Sequence, residues 1–267
     1  MFKIGLCQMK GELEKKKSME KAEHFIKKAA SEGAQIISLP EMWNCPYSND
    51  YFRDYAEAED GETVDFLSRL ANSLGVYIVG GSIPEIDNDK IYNTSFSFNR
   101  EGDVIGKHRK VHLFDIDVKD GIRFMESDTL TAGNSMTVID TEFCKIGVAI
   151  CYDVRFPEWF RKMALAGAKL IILPAAFNMT TGPAHWDLTM RARALDNQVY
   201  FAANSPARDE DGPYRAYGGS CIVDPWGKFT AHCDEKETIV YGDIDLNFED
   251  SIRQQLPLLK HRREELY

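Results

Sequence analysis

A glutamate, a lysine and a cysteine stand where apolar or basic segments of this chain run out. Glu41 follows the run 36–40, Lys110 closes Lys107-His108-Arg109-Lys110, and Cys151 follows 145–150. A thiol is a strong nucleophile once deprotonated, and an ordinary cysteine titrates near ~8.5. A neighbouring carboxylate accepts that proton and a neighbouring ammonium supports the charge. The three residue types together suit attack on an acyl carbon. The lysine and the peptide N–H of Tyr152 hold the oxyanion, while the carboxylate protonates a departing amine and then activates water. Each residue has a plainer reading when taken singly. The cysteine is then a small core hydrophobe, Glu41 a loop carboxylate and Lys110 one member of a solvated charge run. A single chemistry that uses all three outweighs those readings. No histidine is required, although His112 is the best placed of the six to pair with a thiol. His108 and His112 lack a carboxylate or thiol at zincin-like spacing, so no metal site is expected.

The segments behind these residues occur twice. Lys3-Ile4-Gly5 recurs as Lys145-Ile146-Gly147, and Gly33-Ala34-Gln35-Ile36-Ile37-Ser38-Leu39-Pro40 as Gly167-Ala168-Lys169-Leu170-Ile171-Ile172-Leu173-Pro174. Val76-Tyr77-Ile78-Val79 and Ser95-Phe96-Ser97-Phe98 likewise match Val199-Tyr200-Phe201-Ala202 and Ser220-Cys221-Ile222-Val223. Each copy reads strand, helix, strand, helix, strand and hairpin. The helices show in the stripes Ala22, Phe25, Ile26, Ala29 and Phe66, Leu67, Leu70, Leu74, with Gly33 and Gly75 at C-terminal positions. Short apolar runs bounded by Gly and Pro are the pattern of strands buried on both faces. The duplication predicts α/β units with stacked mixed sheets, helices outside, and pseudo-twofold symmetry in one domain over 1–267. A tail, about 246–267, begins as a short helix and reads as a solvated terminus or as an arm against a second subunit.

Chemistry is sought where the copies differ. Glu41 is replaced by Ala175 in the second copy, and Gln8-Met9 of the first becomes Cys151-Tyr152-Asp153. Ligands in α/β folds gather at the carboxyl ends of strands, where these differences fall. The 267 residues carry a net charge of −10, which argues against nucleic acid or an anionic membrane as the main partner. No apolar run reaches the ~18 residues of a membrane span. The six cysteines form no CxxC pair, so a reduced, cytoplasmic location is expected. Cys45 reads as exposed near the mouth and sensitive to oxidation, while Cys144 and Cys221 read as strand residues.

Three blocks resemble the Glu, Lys and Cys blocks of the nitrilase superfamily of carbon–nitrogen hydrolases. They are Pro40-Glu41-Met42, Arg109-Lys110-Val111-His112-Leu113-Phe114-Asp115 and Cys151-Tyr152-Asp153-Val154-Arg155-Phe156, in the family's order. The resemblance spans essentially the whole chain. It implies a four-layer α-β-β-α sandwich, no cofactor, Glu41 as general base, Lys110 as oxyanion stabiliser and Cys151 as nucleophile. Glu126, in Phe124-Met125-Glu126-Ser127, matches an assisting glutamate. Further blocks, including 176–186, Asp196-Asn197-Gln198-Val199-Tyr200 and Asp224-Pro225-Trp226-Gly227, are similar to the omega-amidase branch. Ala175-Ala176 and Phe124-Met125 depart from its usual pairs. The branch implies that the terminal amide of a short oxo-acid, 2-oxoglutaramate or 2-oxosuccinamate, is hydrolysed by water through a thioester. Arg155 would clamp the substrate carboxylate, Thr180 and Thr181 would add hydroxyls, and Tyr47, Tyr152 and Phe177 would line the pocket. The family also implies a homodimer, joined through the helix after Pro157 and the C-terminal arm. The competing readings are another specificity of the superfamily (an N-carbamoyl compound, a deaminated-glutathione-like amide or a nitrile) and a catalytically idle interaction protein.

Overall fold

The computed structural model describes residues 1–119 and 123–266. The chain begins with β1 (Phe2–Gln8), α1 (Lys15–Ser31), β2 (Ile36–Ser38), α2 (Asn49–Tyr55) and α3 (Glu62–Leu74). It continues through β3 (Tyr77–Val79), β4 (Ile83–Asp87), β5 (Lys90–Phe98), β6 (Val104–Arg109), β7 (Asp115–Asp117) and β8 (Arg123–Met125). The second half opens with β9 (Thr137–Asp140), β10 (Lys145–Val148), α4 (Pro157–Leu165), β11 (Ala168–Pro174) and α5 (Gly182–Asn197). β12 (Tyr200–Asn204), β13 (Cys221–Val223), β14 (Phe229–His232), β15 (Thr238–Ile244) and α6 (Leu246–Gln255) complete it.

Two mixed sheets follow from these strands. In the first, β1, β2 and β3 run parallel, β5 returns antiparallel, and β6 pairs the far side of β5. Thr94 faces Ile83 and Arg109, and Ser97 faces Val79 and Gly106, so β4 lies on the same side of β5 as β3. In the second, β10, β11 and β12 are parallel and β13–β14 form the returning hairpin. The expected duplication is therefore present in β1-β2-β3-β5-β6 and β10-β11-β12-β13-β14, with β4 an addition to the first sheet, down to hairpin turns at Gly102 (φ 86°) and Gly227 (φ 80°). One exchange crosses between the copies: β15 leaves the second half and pairs antiparallel with β1 over its whole length.

The layers form because each sheet is apolar on both faces. Ile4, Leu6, Ile36 and Val79 of one sheet meet Ile146, Val148, Leu170 and Ile172 of the other, all buried. Side chains of that kind contribute about 1.5–3 kcal/mol each on full burial. The outer face of the first sheet is covered by Met19, Ala22, Ile26 and Ala29 of α1 and Val64, Leu67 and Leu70 of α3. Phe160 and Met163 of α4 and Trp186, Met190 and Ala194 of α5 cover the second. The order α-β-β-α is the sandwich expected from the sequence. Pro157 opens α4, where a missing N–H costs nothing, and Gly75 closes α3 with φ 63°. The tail does begin with the helix α6, capped by the Asp245 carboxylate on the N–H groups of Asn247 and Phe248; Tyr267 lies outside the described residues. Cys221 is on β13, whereas Cys144 sits one residue before β10.

Candidate active site

Glu41, Lys110, Glu126 and Cys151 come from four separate segments and meet at the strand ends. Pro40 cannot extend the β2 ladder, because it has no N–H to give. Its carbonyl instead accepts from Ser82 N at 3.1 Å. Met42 then takes a left-handed φ of 50° and donates its N–H to Ser82 Oγ at 3.1 Å, a turn that aims Glu41 inward. Lys110 directly follows β6, with its N–H on Asn93 O at 2.8 Å and its carbonyl accepting from Gly133 N at 2.8 Å. Glu126 begins a single 3-10 turn after β8. Cys151 begins another, Cys151–Arg155, three residues beyond the end of β10. Its φ of 42° is left-handed, a conformation that costs a non-glycine residue about 1–3 kcal/mol and is held only by its surroundings.

The Lys110 ammonium is fully buried and lies 2.9 Å from Glu41 Oε1 and 2.9 Å from Glu126 Oε2. Glu41 also accepts from Asn93 Nδ2 at 2.9 Å and from the Ala176 N–H, on Oε2, at 2.7 Å. Glu126 accepts from Phe114 N at 2.6 Å and from the Tyr47 hydroxyl at 2.7 Å. Burial alone pulls the lysine toward its neutral form, but Glu126 and Glu41 outweigh it and hold the ammonium above its ordinary range. Burial also pushes the Cys151 thiol well up, helped by Glu41 and Glu126 and opposed only by Lys110. Two carboxylates facing one ammonium disfavour a resting thiolate. The arrangement suits a neutral thiol that gives its proton to Glu41 as the sulfur attacks, and an ammonium that meets the developing oxyanion.

The remaining anticipated residues fall at different distances from this chemistry. The Tyr47 hydroxyl is 2.7 Å from Glu126 and 3.3 Å from Glu41, so it supports the carboxylates. Tyr152 follows Cys151 and packs edge-on against Phe114 at 5.2 Å. Arg155 closes the same turn, stands over the Phe177 ring at 5.0 Å and contacts His185 Nδ1 at 3.1 Å. Among the described residues no carboxylate pairs with it; Asp153, a partner it could have had, is taken by His108 and His112. Phe177 is buried edge-on against Trp186 at 5.1 Å. Thr180 is exposed, and the Thr181 hydroxyl turns back to Asn178 Oδ1 at 3.3 Å. Cys45 is buried, with its sulfur 3.2 Å from Pro46 O, so the expectation of an exposed thiol is corrected: the chain tucks that loop inward under Tyr47 and Phe52.

Sequence reasoning passed over Asn93, Ala176 and Tyr214 as parts of this cluster. Tyr214 packs against Tyr47 with tilted rings and centroids 4.6 Å apart, and its hydroxyl donates to Ala176 O. Burial, followed by Cys151, Glu41 and Glu126, holds that phenol protonated. A polar run, Asn93-Thr94-Ser95, inside the almost wholly buried β5 was the available signal for Asn93. Nothing local marks Tyr214, which arrives on the loop between β12 and β13. A cavity of about 290 Å³ adjoins the cluster and is lined in part by Glu41, Tyr47, Ala176 and Tyr214.

A buried carboxylate–ammonium–thiol cluster at the strand ends of an α-β-β-α sandwich defines a class of cysteine hydrolases. The chain belongs to the carbon–nitrogen hydrolase family, whose model matches residues 3–254. It is 51% identical over 266 residues to omega-amidase NIT2-B of Xenopus laevis, covering 100% of this chain and 96% of that one. Against omega-amidase NIT2 of Homo sapiens it is 47% identical with the same coverage. The crystal structure of Saccharomyces cerevisiae Nit3, a member of branch 10 of the nitrilase superfamily, superposes with a TM-score of 0.91 at 46% identity. That match covers 98% of this chain and 96% of Nit3. The protein is therefore a carbon–nitrogen hydrolase of the nitrilase superfamily.

Proposed function

We propose that this enzyme hydrolyses the terminal amide of a short omega-amido dicarboxylate such as 2-oxoglutaramate or 2-oxosuccinamate. Cys151 Sγ attacks the amide carbon as Glu41 takes the thiol proton. Lys110 and the N–H of Tyr152 hold the oxyanion. The C–N bond breaks as Glu41 protonates the nitrogen, and ammonia leaves a thioester on Cys151. Glu41 then deprotonates water, which attacks the thioester; the carboxylic acid departs and the proton returns to sulfur. Glu126 and Tyr47 keep Lys110 aimed throughout.

The observation that carries the substrate class is Arg155. It stands on the same turn as the nucleophile, over the Phe177 ring at 5.0 Å and without a carboxylate partner among the described residues. A substrate carboxylate supplies that partner, and a charge-assisted bond of this kind is worth about 1.5–3 kcal/mol. The names of the relatives at about half identity support the same reading. Thr180, Thr181, Tyr152 and Phe177 then shape the remainder of the pocket. The working unit is a homodimer in the cytoplasm: Leu165 on α4 and Leu188 and Leu195 on α5 are exposed apolar residues near the proposed joint. No helix among the described residues is long and apolar enough to cross a membrane.

The test is ammonia release from 2-oxoglutaramate and from an uncharged amide, propionamide, by wild type, Cys151→Ala and Arg155→Ala. Intact mass on the quenched wild type seeks the acyl adduct. Expected are loss of all activity in Cys151→Ala and a thioester mass in wild type. Arg155→Ala should lose about 10–100-fold in kcat/KM on the charged substrate alone. Equal losses on both amides would remove Arg155 from carboxylate binding and redirect the search to carbamoyl compounds, other amides and nitriles. A wild type that neither releases ammonia nor acylates would favour an interaction protein.

A further inference from the structure

A buried carboxylate outside the reacting cluster ties its two halves together. Asp153 is fully buried two residues after Cys151. Its Oδ1 accepts from the His112 N–H at 2.9 Å and lies 2.8 Å from His112 Nδ1. Its Oδ2 accepts from the Ile150 N–H at 3.0 Å and lies 3.1 Å from His108 Nε2. His108 and His112 flank Lys110 symmetrically in sequence, and Ile150 is the residue before the nucleophile. One carboxylate thus grips the lysine's segment on both sides and the entry to the cysteine's turn. The Asp153 N–H also donates to Ile150 O at 3.0 Å, closing the turn in which Cys151 holds its left-handed φ.

We infer that Asp153 is a positioning residue for this reaction, fixing the Lys110 ammonium relative to Cys151 through His108, His112 and the Ile150 amide. The inference rests on the catalytic reading of Lys110 and Cys151 given above. A lysine on a strand end and a thiol on a strained turn have no covalent or ladder contact near their reactive ends, so their separation depends on whatever crosses between the two sheets. Asp153 crosses there with three contacts, to His108 and twice to His112, and the same segment is gripped again where Phe114 N donates to Glu126. Its carboxyl is held far below the ordinary carboxylate range: burial opposes this, and the two histidines with the Ile150 amide overcome it. It therefore stays an acceptor at every working pH. The Phe156 ring stacked on His112 at 3.7 Å stiffens the link further.

Asp153→Asn keeps the shape but turns one acceptor into a donor facing Ile150 N–H or the His112 amide. The expected result is a fall in kcat of about 10²-fold, the scale of an ångström of misplacement, with KM for 2-oxoglutaramate nearly unchanged. Alkylation of Cys151 by iodoacetamide, read at the Cys151 peptide by mass, should change in rate and in pH dependence, which a loss of global stability alone does not produce in folded protein. His112→Ala removes one of the four contacts at a partly exposed site, and it should lower kcat by a smaller factor with the same sign. If Asp153→Asn does not fold, His112→Ala carries the test. Unchanged kcat and an unchanged alkylation profile in a folded variant would overturn the inference. A dead wild type, or an active Cys151→Ala, would instead overturn the catalytic reading beneath it.

Discussion

Glu126→Gln separates the reactivity of the Cys151 thiol from the catalysis proposed for it. Lys110 lies 2.9 Å from Glu126 Oε2 and 2.9 Å from Glu41 Oε1, with all three side chains fully buried. Two unit charges at ~4 Å attract by about 4 kcal/mol at an effective dielectric of ~20, and removing one partner of a buried pair typically costs about 3–5 kcal/mol. Glu41 remains to neutralise Lys110, so the expected loss of stability lies near the lower end, about 3 kcal/mol. The amide also cannot accept from Lys110, Tyr47 and Phe114 N together, since one of its two ends must donate. For Cys151 the effect runs the other way. Glu126 is one of the charges holding its thiol up, so the variant ionises at lower pH. The expectation is a Cys151 that alkylates faster between about pH 6 and 9 while ammonia release falls about 10²-fold, because the ammonium is no longer aimed. The assay pairs iodoacetamide modification, followed at the Cys151 peptide, with steady-state ammonia release and a urea titration. An alkylation profile displaced to higher pH, or turnover equal to wild type, would refute the electrostatic account.

Two glycines with similar dihedral angles should respond differently to alanine. Gly81 has φ 64° and a Cβ there would lie 2.2 Å from Pro40 O, whereas Gly75 has φ 63° and open space around it. Gly75→Ala is expected to lose about 1–2 kcal/mol from the left-handed backbone alone. Gly81→Ala should lose about 3–5 kcal/mol and reduce kcat as well, since the turn carrying Glu41 must shift; urea midpoints and ammonia release measure both. Glu249 on α6 is fully buried beside Arg253 at 2.7 Å. Burial nevertheless pushes its carboxyl up to about 8, against the pull of Arg253 and Lys169. An unfolded glutamate titrates near ~4.3, so the native state binds the extra proton between the two values. The stability this contributes is present at low pH and is lost as pH rises toward 8. Glu249→Gln should therefore gain on wild type between about pH 5 and 8, and thermal melts that stay parallel across that range would contradict it.

The sequence determined the repeat, and through it much of the fold. Apolar runs at 36–39 and 170–173 can be satisfied only as strands covered on both faces, and the stripes of α1 and α3 name the faces that cover them. The same repeat exposed Glu41 and Cys151, because a residue proposed for chemistry is free to differ from its structural twin. Ala175 and Met9 occupy the matching places and are simply buried.

What the sequence left open depends on neighbours brought from far along the chain. No local pattern pairs β15 with β1, a pairing that fills the β1 edge of the first sheet as β9 fills the β10 edge of the second. Tyr47 read as a pocket residue, yet its hydroxyl is committed to carboxylates 6 and 79 positions away. Asp153 stands in the sequence only as part of the nucleophile's block, but three of its four contacts reach back to the residues flanking Lys110. The protonation of the thiol is the clearest case. Residue types alone suggested a cysteine eased toward thiolate by an ammonium, whereas burial and a second carboxylate push it the other way. Desolvation and summed charge are properties of the assembled site, because each depends on which groups exclude water from one small volume. The sequence supplied the side chains of the proposed chemistry; the packing of distant segments around them set their charge and their aim.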